Sequence, residues 1–319
     1  MSQISPPRPS ESNLVQRRLP WLYAFWKFSR PHTIIGTSLS VFALFLIALS
    51  QLSGASVQGF SGFLILIGAW ITCLCGNVYI VGLNQLEDVA IDRINKPHLP
   101  LASGEFSRRE AQAIVLTTGI LALALAAVQG GFLMATVWLS LLIGTAYSLP
   151  PIRLKRFPFW ASLCIFSVRG AIVNLGLYLH FNQRLGGLSQ IPAPVWALTL
   201  FILVFTFAIA IFKDIPDLEG DRRYHISTFT VRLGQKAVFN LARWVLSVCY
   251  GGMIVAAPRL PHVNQSFLIL THAAGLLVLW WLSQRIDLRD QQSIARFYQF
   301  IWKLFFLEYL IFPVACLLH

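Results

Sequence analysis

Seven of the chain's 13 acidic residues fall in two short clusters. The first reads Asn84-Gln85-Leu86-Glu87-Asp88-Val89-Ala90-Ile91-Asp92, the second Lys213-Asp214-Ile215-Pro216-Asp217-Leu218-Glu219-Gly220-Asp221. On a helix, Asn84, Asp88 and Asp92 recur every fourth residue and stand in one column, an amide above two carboxylates. Asp214, Asp217 and Asp221 follow a three-then-four spacing and share a face as far as a helix survives Pro216 and Gly220. Like charges at such spacing repel, so a cation is expected to compensate them. Magnesium suits the set, because it prefers oxygen ligands, keeps several waters, and usually takes one or two carboxylates plus substrate phosphates. The candidate metal ligands are therefore Asn84, Asp88, Asp92, Asp214, Asp217 and Asp221. The chemistry such a site serves is departure of a diphosphate from an allylic carbon, where metal stabilises the developing negative charge.

Cationic side chains sit in places to help. Between the clusters lies Tyr147-Ser148-Leu149-Pro150-Pro151-Ile152-Arg153-Leu154-Lys155-Arg156. Arg153 and Arg156 grip phosphate oxygens in bidentate fashion, and Lys155 acts as a point charge. Lys96 and Lys213, each adjoining a cluster, are further diphosphate ligands by the same reasoning. Lys96 belongs to Asn95-Lys96-Pro97-His98-Leu99-Pro100-Leu101-Ala102-Ser103-Gly104, whose prolines and terminal glycine fit an ordered loop able to close over a site and exclude water.

These residues must be positioned by membrane helices. The chain has 319 residues, 56% of them hydrophobic and only 12% charged, against about 25% charge in a typical soluble domain. Long uncharged runs recur throughout and predict an all-α, polytopic membrane protein with nine spans. They are 33–52, 62–83, 111–129, 131–149, 157–180, 193–212, 237–257, 267–282 and 297–318, each near the length a helix needs to cross the hydrocarbon. The third and fourth spans touch, with Gln129-Gly130-Gly131 as the turn between them. Numbering the intervening segments alternately puts 21 of the 25 lysines and arginines on the side of the N-terminus, together with both acidic clusters. The positive-inside rule places that side in the cytoplasm.

The net charge of +12 is thereby a matter of topology, and nucleic-acid binding is set aside. The five cysteines all lie in apolar runs and read as small packing residues. Residues 1–20 read as a disordered polar tail, and 21–319 as the membrane domain. The tail has no secretory-signal core and is short for a plastid transit peptide, so a bacterial or cyanobacterial source is expected. Trp21 to Arg30 interleave aromatic and basic residues, as a helix lying on the membrane surface does.

Two charges fall inside spans. Arg169 and Glu308 both reach about 17 Å from the basic side, and intramembrane charges are usually paired. An Arg169–Glu308 contact is therefore expected. The sharper alternative has Arg169 binding the carboxylate of a substrate. A transporter, the rival class, would place acids at the midplane of several helices; here, Glu308 apart, they gather at helix ends.

With these motifs in view, the chain resembles the UbiA superfamily of intramembrane aromatic prenyltransferases. Asn84, Asp88 and Asp92 match its Asn-x-x-x-Asp-x-x-x-Asp pattern, and Asp217 and Asp221 its Asp-x-x-x-Asp pattern. Val81 to Leu86, Asn95 to Glu105 and Lys213 to Asp221 are similar to the members that prenylate homogentisate in cyanobacteria and plastids. Gln85 stands where many other members carry an acid. The resemblance implies a magnesium-dependent enzyme that joins homogentisate to phytyl diphosphate in tocopherol synthesis, losing carbon dioxide and diphosphate. Longer or different prenyl donors and 4-hydroxybenzoate-type acceptors remain alternatives. It implies that Asp88, Asp92, Asp217 and Asp221 hold the metal that draws off diphosphate, and that the allylic cation then meets the ring at the carbon bearing the acetate arm. Tyr147 is a candidate to stabilise that cation by its ring face. The membrane is the cytoplasmic or thylakoid membrane if the source is cyanobacterial.

Overall fold

The computed structural model describes residues 18–52, 59–223 and 227–319. The anticipated polar tail therefore lies, through residue 17, outside the described residues. Nine helices among them are long and apolar enough to cross a membrane. They are α1 (Pro31–Ser50), α2 (Gly59–Asn95), α3 (Arg108–Gln129), α4 (Gly131–Ser148), α5 (Pro158–Arg184), α6 (Ala193–Phe212), α7 (Gln235–Ala256), α8 (Gln265–Ser283) and α9 (Gln291–Leu317). No strand forms among the described residues. A short helix, Pro20–Phe28, precedes α1 and holds the expected surface stretch; Trp21, Leu22 and Trp26 on it are exposed.

Local chemistry sets the helix ends. Pro31 and Pro158 stand at the first turns of α1 and α5, where the missing N–H costs nothing. A capping box starts α3, the Ser107 hydroxyl accepting from the Glu110 N–H while the Glu110 carboxylate accepts from the Ser107 N–H. Gly130, at φ 121°, makes the expected turn into α4. Asp290 caps α9 by accepting from Gln292 and Ser293.

Two helices depart from the expected spans in ways that matter to the site. The second apolar span is bounded at residue 83, and α2 runs unbroken from it through the acidic column to Asn95. Those twelve residues add about 18 Å of helix, so the first acidic cluster rides on a rigid extension of a membrane helix. Inside α5, residues Ser167–Ile172 form a π-helical turn that contains Arg169, a feature found mostly as single turns at functional sites. This turn lies hard against α6: a Cβ on Gly170 would sit 2.5 Å from the Leu203 Cα, so only glycine permits the approach.

In the bundle α9 packs back on α1, and α1 on α2 and α5, closing the helices around a common interior. Fully buried Phe205, Phe212, Phe305 and Phe312 fill its centre. Leu116, Ile120, Leu200, Val248, Leu270 and Leu277 are each more than half exposed on the outside. In water these would be an aggregation liability; in a bilayer they face lipid, while the helices satisfy their own backbone hydrogen bonds.

Candidate active site

A cavity of about 1400 Å³ opens among α1, α2, α4, α5, α6 and α9. Every candidate metal, diphosphate, cation-stabilising and acceptor-binding residue of the sequence lines it: Asn84, Asp88, Asp92, Lys96, Tyr147, Arg153, Lys155, Arg156, Arg169, Lys213, Asp214, Asp217 and Asp221. Drug-sized ligands occupy pockets of roughly 300–1,000 Å³, so this space accommodates two substrates.

The first wall is the extension of α2. The Asn84 side-chain amide donates to the Asp88 Oδ2 at 3.1 Å, as the four-residue column requires. Asp88 also receives Arg153 at 3.2 Å and Lys155 at 2.7 Å. Asp92 is 5% exposed, and its Oδ2 is buried with no hydrogen-bond partner. Gln85, also buried, turns away from the cavity. Its amide donates to the Phe28 carbonyl at 2.7 Å and fastens the surface helix to α2. The position held by an acid in many superfamily members is thus a structural clasp in this chain.

The second wall is not one helix. α6 stops at Phe212, residues 213–217 form turns, and a short helix resumes at Leu218–Arg223. Pro216 has no N–H to continue the ladder. Even so, Asp214, Asp217 and Asp221 all reach the cavity. Two contacts stitch this wall to the first: Lys96 forms an ion pair with Asp217, and the Gly220 N–H donates to the Asn95 Oδ1 at 3.0 Å. A Cβ on Gly220 would lie 2.1 Å from that oxygen, so the glycine inside the acidic cluster is what lets the walls meet.

The electrostatics are those of crowded carboxylates. Burial and the neighbouring charges of Asp214 and Asp217 push Asp221 up to about 7. Burial also raises Asp214, against the pull of Lys213. Burial opposes the charge on Lys213, but Asp214 and Asp217 outweigh it and hold the ammonium well above its ordinary value. Lys155 is lowered by burial despite Asp88. Lys213 also approaches the Tyr147 hydroxyl at 3.5 Å and Asp214 at 3.2 Å. Arg156 is exposed at the mouth.

The donor set fits a hard divalent cation. Carboxylate and amide oxygens face one cavity, and the unpartnered, buried Asp92 Oδ2 needs a positive neighbour. Among the described residues, no three His, Cys, Asp or Glu side chains converge tightly enough to form a cage by themselves. Magnesium seldom uses such cages; it completes its shell with water and phosphate.

The expected Arg169–Glu308 contact does not form. Glu308 turns to α8, where its Oε1 lies 3.1 Å from the His272 Nε2, both side chains almost wholly buried. The Arg169 guanidinium instead lies over the rings of Trp302, at 5.3 Å, and Phe305, at 5.6 Å. Depth alone paired the two residues on paper. A π turn changes the angular phase of α5, and Glu308 projects from a different side of α9 than Trp302. Among the described residues Arg169 has no carboxylate partner, and it faces the cavity.

Other cavity residues escaped the sequence reading. Arg30, just before α1, donates to the Asn84 Oδ1 at 3.2 Å. Arg30 and Arg153 both sit in the left-handed region, at φ 53° and 40°. Non-glycine residues held there cluster at functional sites. The signal available was Arg30 at the end of the stretch Trp21 to Arg30, which membrane anchoring accounts for by itself, and His32 two residues further on.

The described residues form an all-α membrane bundle of nine long helices, with acid clusters at two helix ends around one cavity, the architecture of an intramembrane enzyme. The UbiA prenyltransferase family matches residues 38–304, and the chain belongs to that family. It is 53% identical over 296 residues to "Homogentisate phytyltransferase" of Synechocystis sp., covering 92% of this chain and 96% of the relative. It is 40% identical over 313 residues to "Homogentisate phytyltransferase 1, chloroplastic" of Arabidopsis thaliana, covering 96% and 79% respectively. The solved UbiA homolog from Archaeoglobus fulgidus bound to GPP and Mg2+ superposes with a TM-score of 0.65 at 17% identity, covering 91% of this chain and 99% of that one. That likeness supports the fold.

Proposed function

We propose that the chain transfers the phytyl group of phytyl diphosphate to homogentisate, with loss of diphosphate and carbon dioxide, the committed prenylation of tocopherol (vitamin E) synthesis. One observation carries the reading: both acidic clusters and their cationic partners line a single cavity, in a chain similar over nearly its whole length to homogentisate phytyltransferases.

In this reading Asn84, Asp88 and Asp92 on one wall, and Asp214, Asp217 and Asp221 on the other, hold Mg2+. Bound there, the ion neutralises charge developing on the departing diphosphate. Arg153, Lys155, Arg156, Lys96, Lys213 and Arg30 bind the remaining phosphate oxygens. The prenyl tail lies against Val137, Leu141 and Ile143 of α4 and Ile165 and Val168 of α5, the apolar lining of the cavity. Tyr147 offers its ring to the allylic cation. Arg169, over its aromatic platform, takes the acceptor carboxylate.

The ring position needs correction on chemical grounds. The carboxylate of homogentisate is on a methylene arm. Attack at the carbon bearing that arm would leave a quaternary centre that loss of carbon dioxide cannot return to aromaticity. Attack at an unsubstituted carbon beside a hydroxyl does, once that carbon gives up its proton. The balance then closes, with one proton leaving the ring and one taken up by the arm carbon as carbon dioxide departs. We place the cavity mouth and the N-terminal side in the cytoplasm on the strength of the basic loops.

The test is product analysis with purified protein. Homogentisate and 4-hydroxybenzoate are each offered with phytyl, geranylgeranyl and solanesyl diphosphate, with Mg2+ and with chelator. The reading expects decarboxylated phytyl product from homogentisate, only with metal. Preference for another donor would move the assignment to a neighbouring specificity, and metal-independent turnover would end it.

A further inference from the structure

His32 is the proton acceptor that the geometry assigns to the cavity: we propose that its imidazole removes the ring proton of the alkylated acceptor. This rests on the homogentisate reading and deepens it.

The argument starts from what the reaction requires. After the allylic carbon bonds to the ring, the reacting carbon is tetrahedral and still carries its hydrogen. That C–H bond must break, its electron pair restoring the aromatic sextet and the proton passing to a base. The carboxylates of the cavity are poorly placed for this task. Asp88 is held by Arg153 and Lys155, Asp217 by Lys96, and Asp214 by Lys213. Asp92 and Asp221 belong to the proposed metal site. Lys96, Lys155 and Lys213 are each engaged by a carboxylate. Two histidines line the cavity, His32 and His98, and His98 is exposed on the loop beyond α2. Burial and the nearby charges of Arg30, Arg169 and Lys96 keep the His32 imidazole neutral, with a lone pair free, and the C–H of the alkylated ring cation is acidic enough to yield its proton to such a base.

His32 is also placed where the acceptor ring is expected. Its ring lies edge-on to Trp302 with centroids 4.8 Å apart. The same indole carries the Arg169 guanidinium at 5.3 Å. One aromatic side chain thus bridges a group suited to a carboxylate and a group suited to a proton. Two residues before His32, Arg30 is bonded to Asn84 of the first acidic column. The imidazole therefore stands between the diphosphate end and the carboxylate end of the cavity. It is half-buried, and among the described residues no side-chain hydrogen bond occupies its nitrogens. An acceptor with its carboxylate on Arg169 and its ring along Trp302 brings its reacting edge to His32. The proton passes to an imidazole nitrogen and leaves to solvent through the mouth; the arm carbon later takes one from solvent.

Ring-deuterated homogentisate tests this with the full-length enzyme in lipid. In wild type, deuterium at the reacting carbon is expected to leave turnover unchanged, donor ionisation being the slow step of the proposed reaction. His32→Gln keeps a hydrogen-bonding side chain but no basic nitrogen. It is expected to lower kcat about 10²-fold or more, the usual contribution of a positioned base, with the KM for homogentisate little changed. A primary isotope effect should appear in this variant, because C–H cleavage becomes limiting. His32→Ala should recover activity when imidazole is added. A folded His32→Gln within twofold of wild type would overturn the assignment, the released diphosphate then serving as base. So would lost activity with neither an isotope effect nor imidazole rescue, which marks a packing role against Trp302. Failure of the homogentisate reading is separable, since wild type alone would then make no product.

Discussion

The two acidic walls reach the same cavity by different construction. The first is an uninterrupted helix that carries Asn84, Asp88 and Asp92 out of the membrane in register, with Asn84 bonded to Asp88. The second is a broken segment in which α6 ends, a turn passes Pro216, and a six-residue helix begins at Leu218. A column needs only its own backbone to hold its spacing. A turn needs tertiary contacts, and here they are Lys96 to Asp217 and Asn95 to Gly220. Both contacts come from the end of the first wall, so the rigid element positions the irregular one.

The largest effect should come from removing a carboxylate on either wall. Asp88→Ala or Asp217→Ala is expected to lower kcat by about 10²- to 10³-fold or more, the scale of losing preorganised charge stabilisation. Steady-state turnover at saturating Mg2+ checks this, and a large loss on one wall only would break the symmetry of the account.

Next are the two deep charges, which belong to neither wall. Arg169→Leu should raise the KM for homogentisate about 10- to 100-fold, because hydrogen bonds to charged groups contribute about 1.5–3 kcal/mol, and should leave donor binding intact. An unchanged KM in a folded variant would remove Arg169 from acceptor binding. Glu308→Gln, sealed against His272, should instead lower thermal stability with little change in KM.

A smaller effect tests the stitching. Gly220→Ala forces a Cβ against the Asn95 Oδ1 and should cost about tenfold in activity, since small misplacements at a reacting centre are costly. Asn95→Ala alone loses one hydrogen bond, about 1 kcal/mol or roughly fivefold. Combined with Gly220→Ala it should relieve the clash, so that the double variant is more active than Gly220→Ala. Additive losses would mean the walls are aligned by something else.

Much of this was legible in the residues, and the rest for physical reasons was not. Hydropathy gave the nine spans because bilayer thickness fixes helix length. The spacing of Asn84, Asp88 and Asp92 gave the first column because helical periodicity is local. The hydropathy span stops at residue 83, where polarity begins, and that the column beyond it is one unbroken helix with the span came only from the structure. Arg169 was placed at the right depth but given the wrong neighbour: composition yields height along a helix, whereas the partner depends on angular phase, which a π turn alters. Gly220 looked like a helix breaker; its need to meet Asn95 exists only once two segments more than a hundred residues apart are folded together. Arg30 was hidden at the end of a surface-anchoring stretch of aromatics and bases, and His32 just beyond it carried no spacing signal.

The most direct test of a shared site is divalent-metal binding, measured with Mn2+ as a spectroscopic reporter in place of Mg2+, with and without a non-reactive prenyl diphosphate analogue. The account predicts tight metal binding only when the analogue is present, lost in Asp88→Ala and in Asp217→Ala alike, and no weaker in the double variant than in either single one. Metal binding that survives either substitution, or losses that add across the walls, would contradict it.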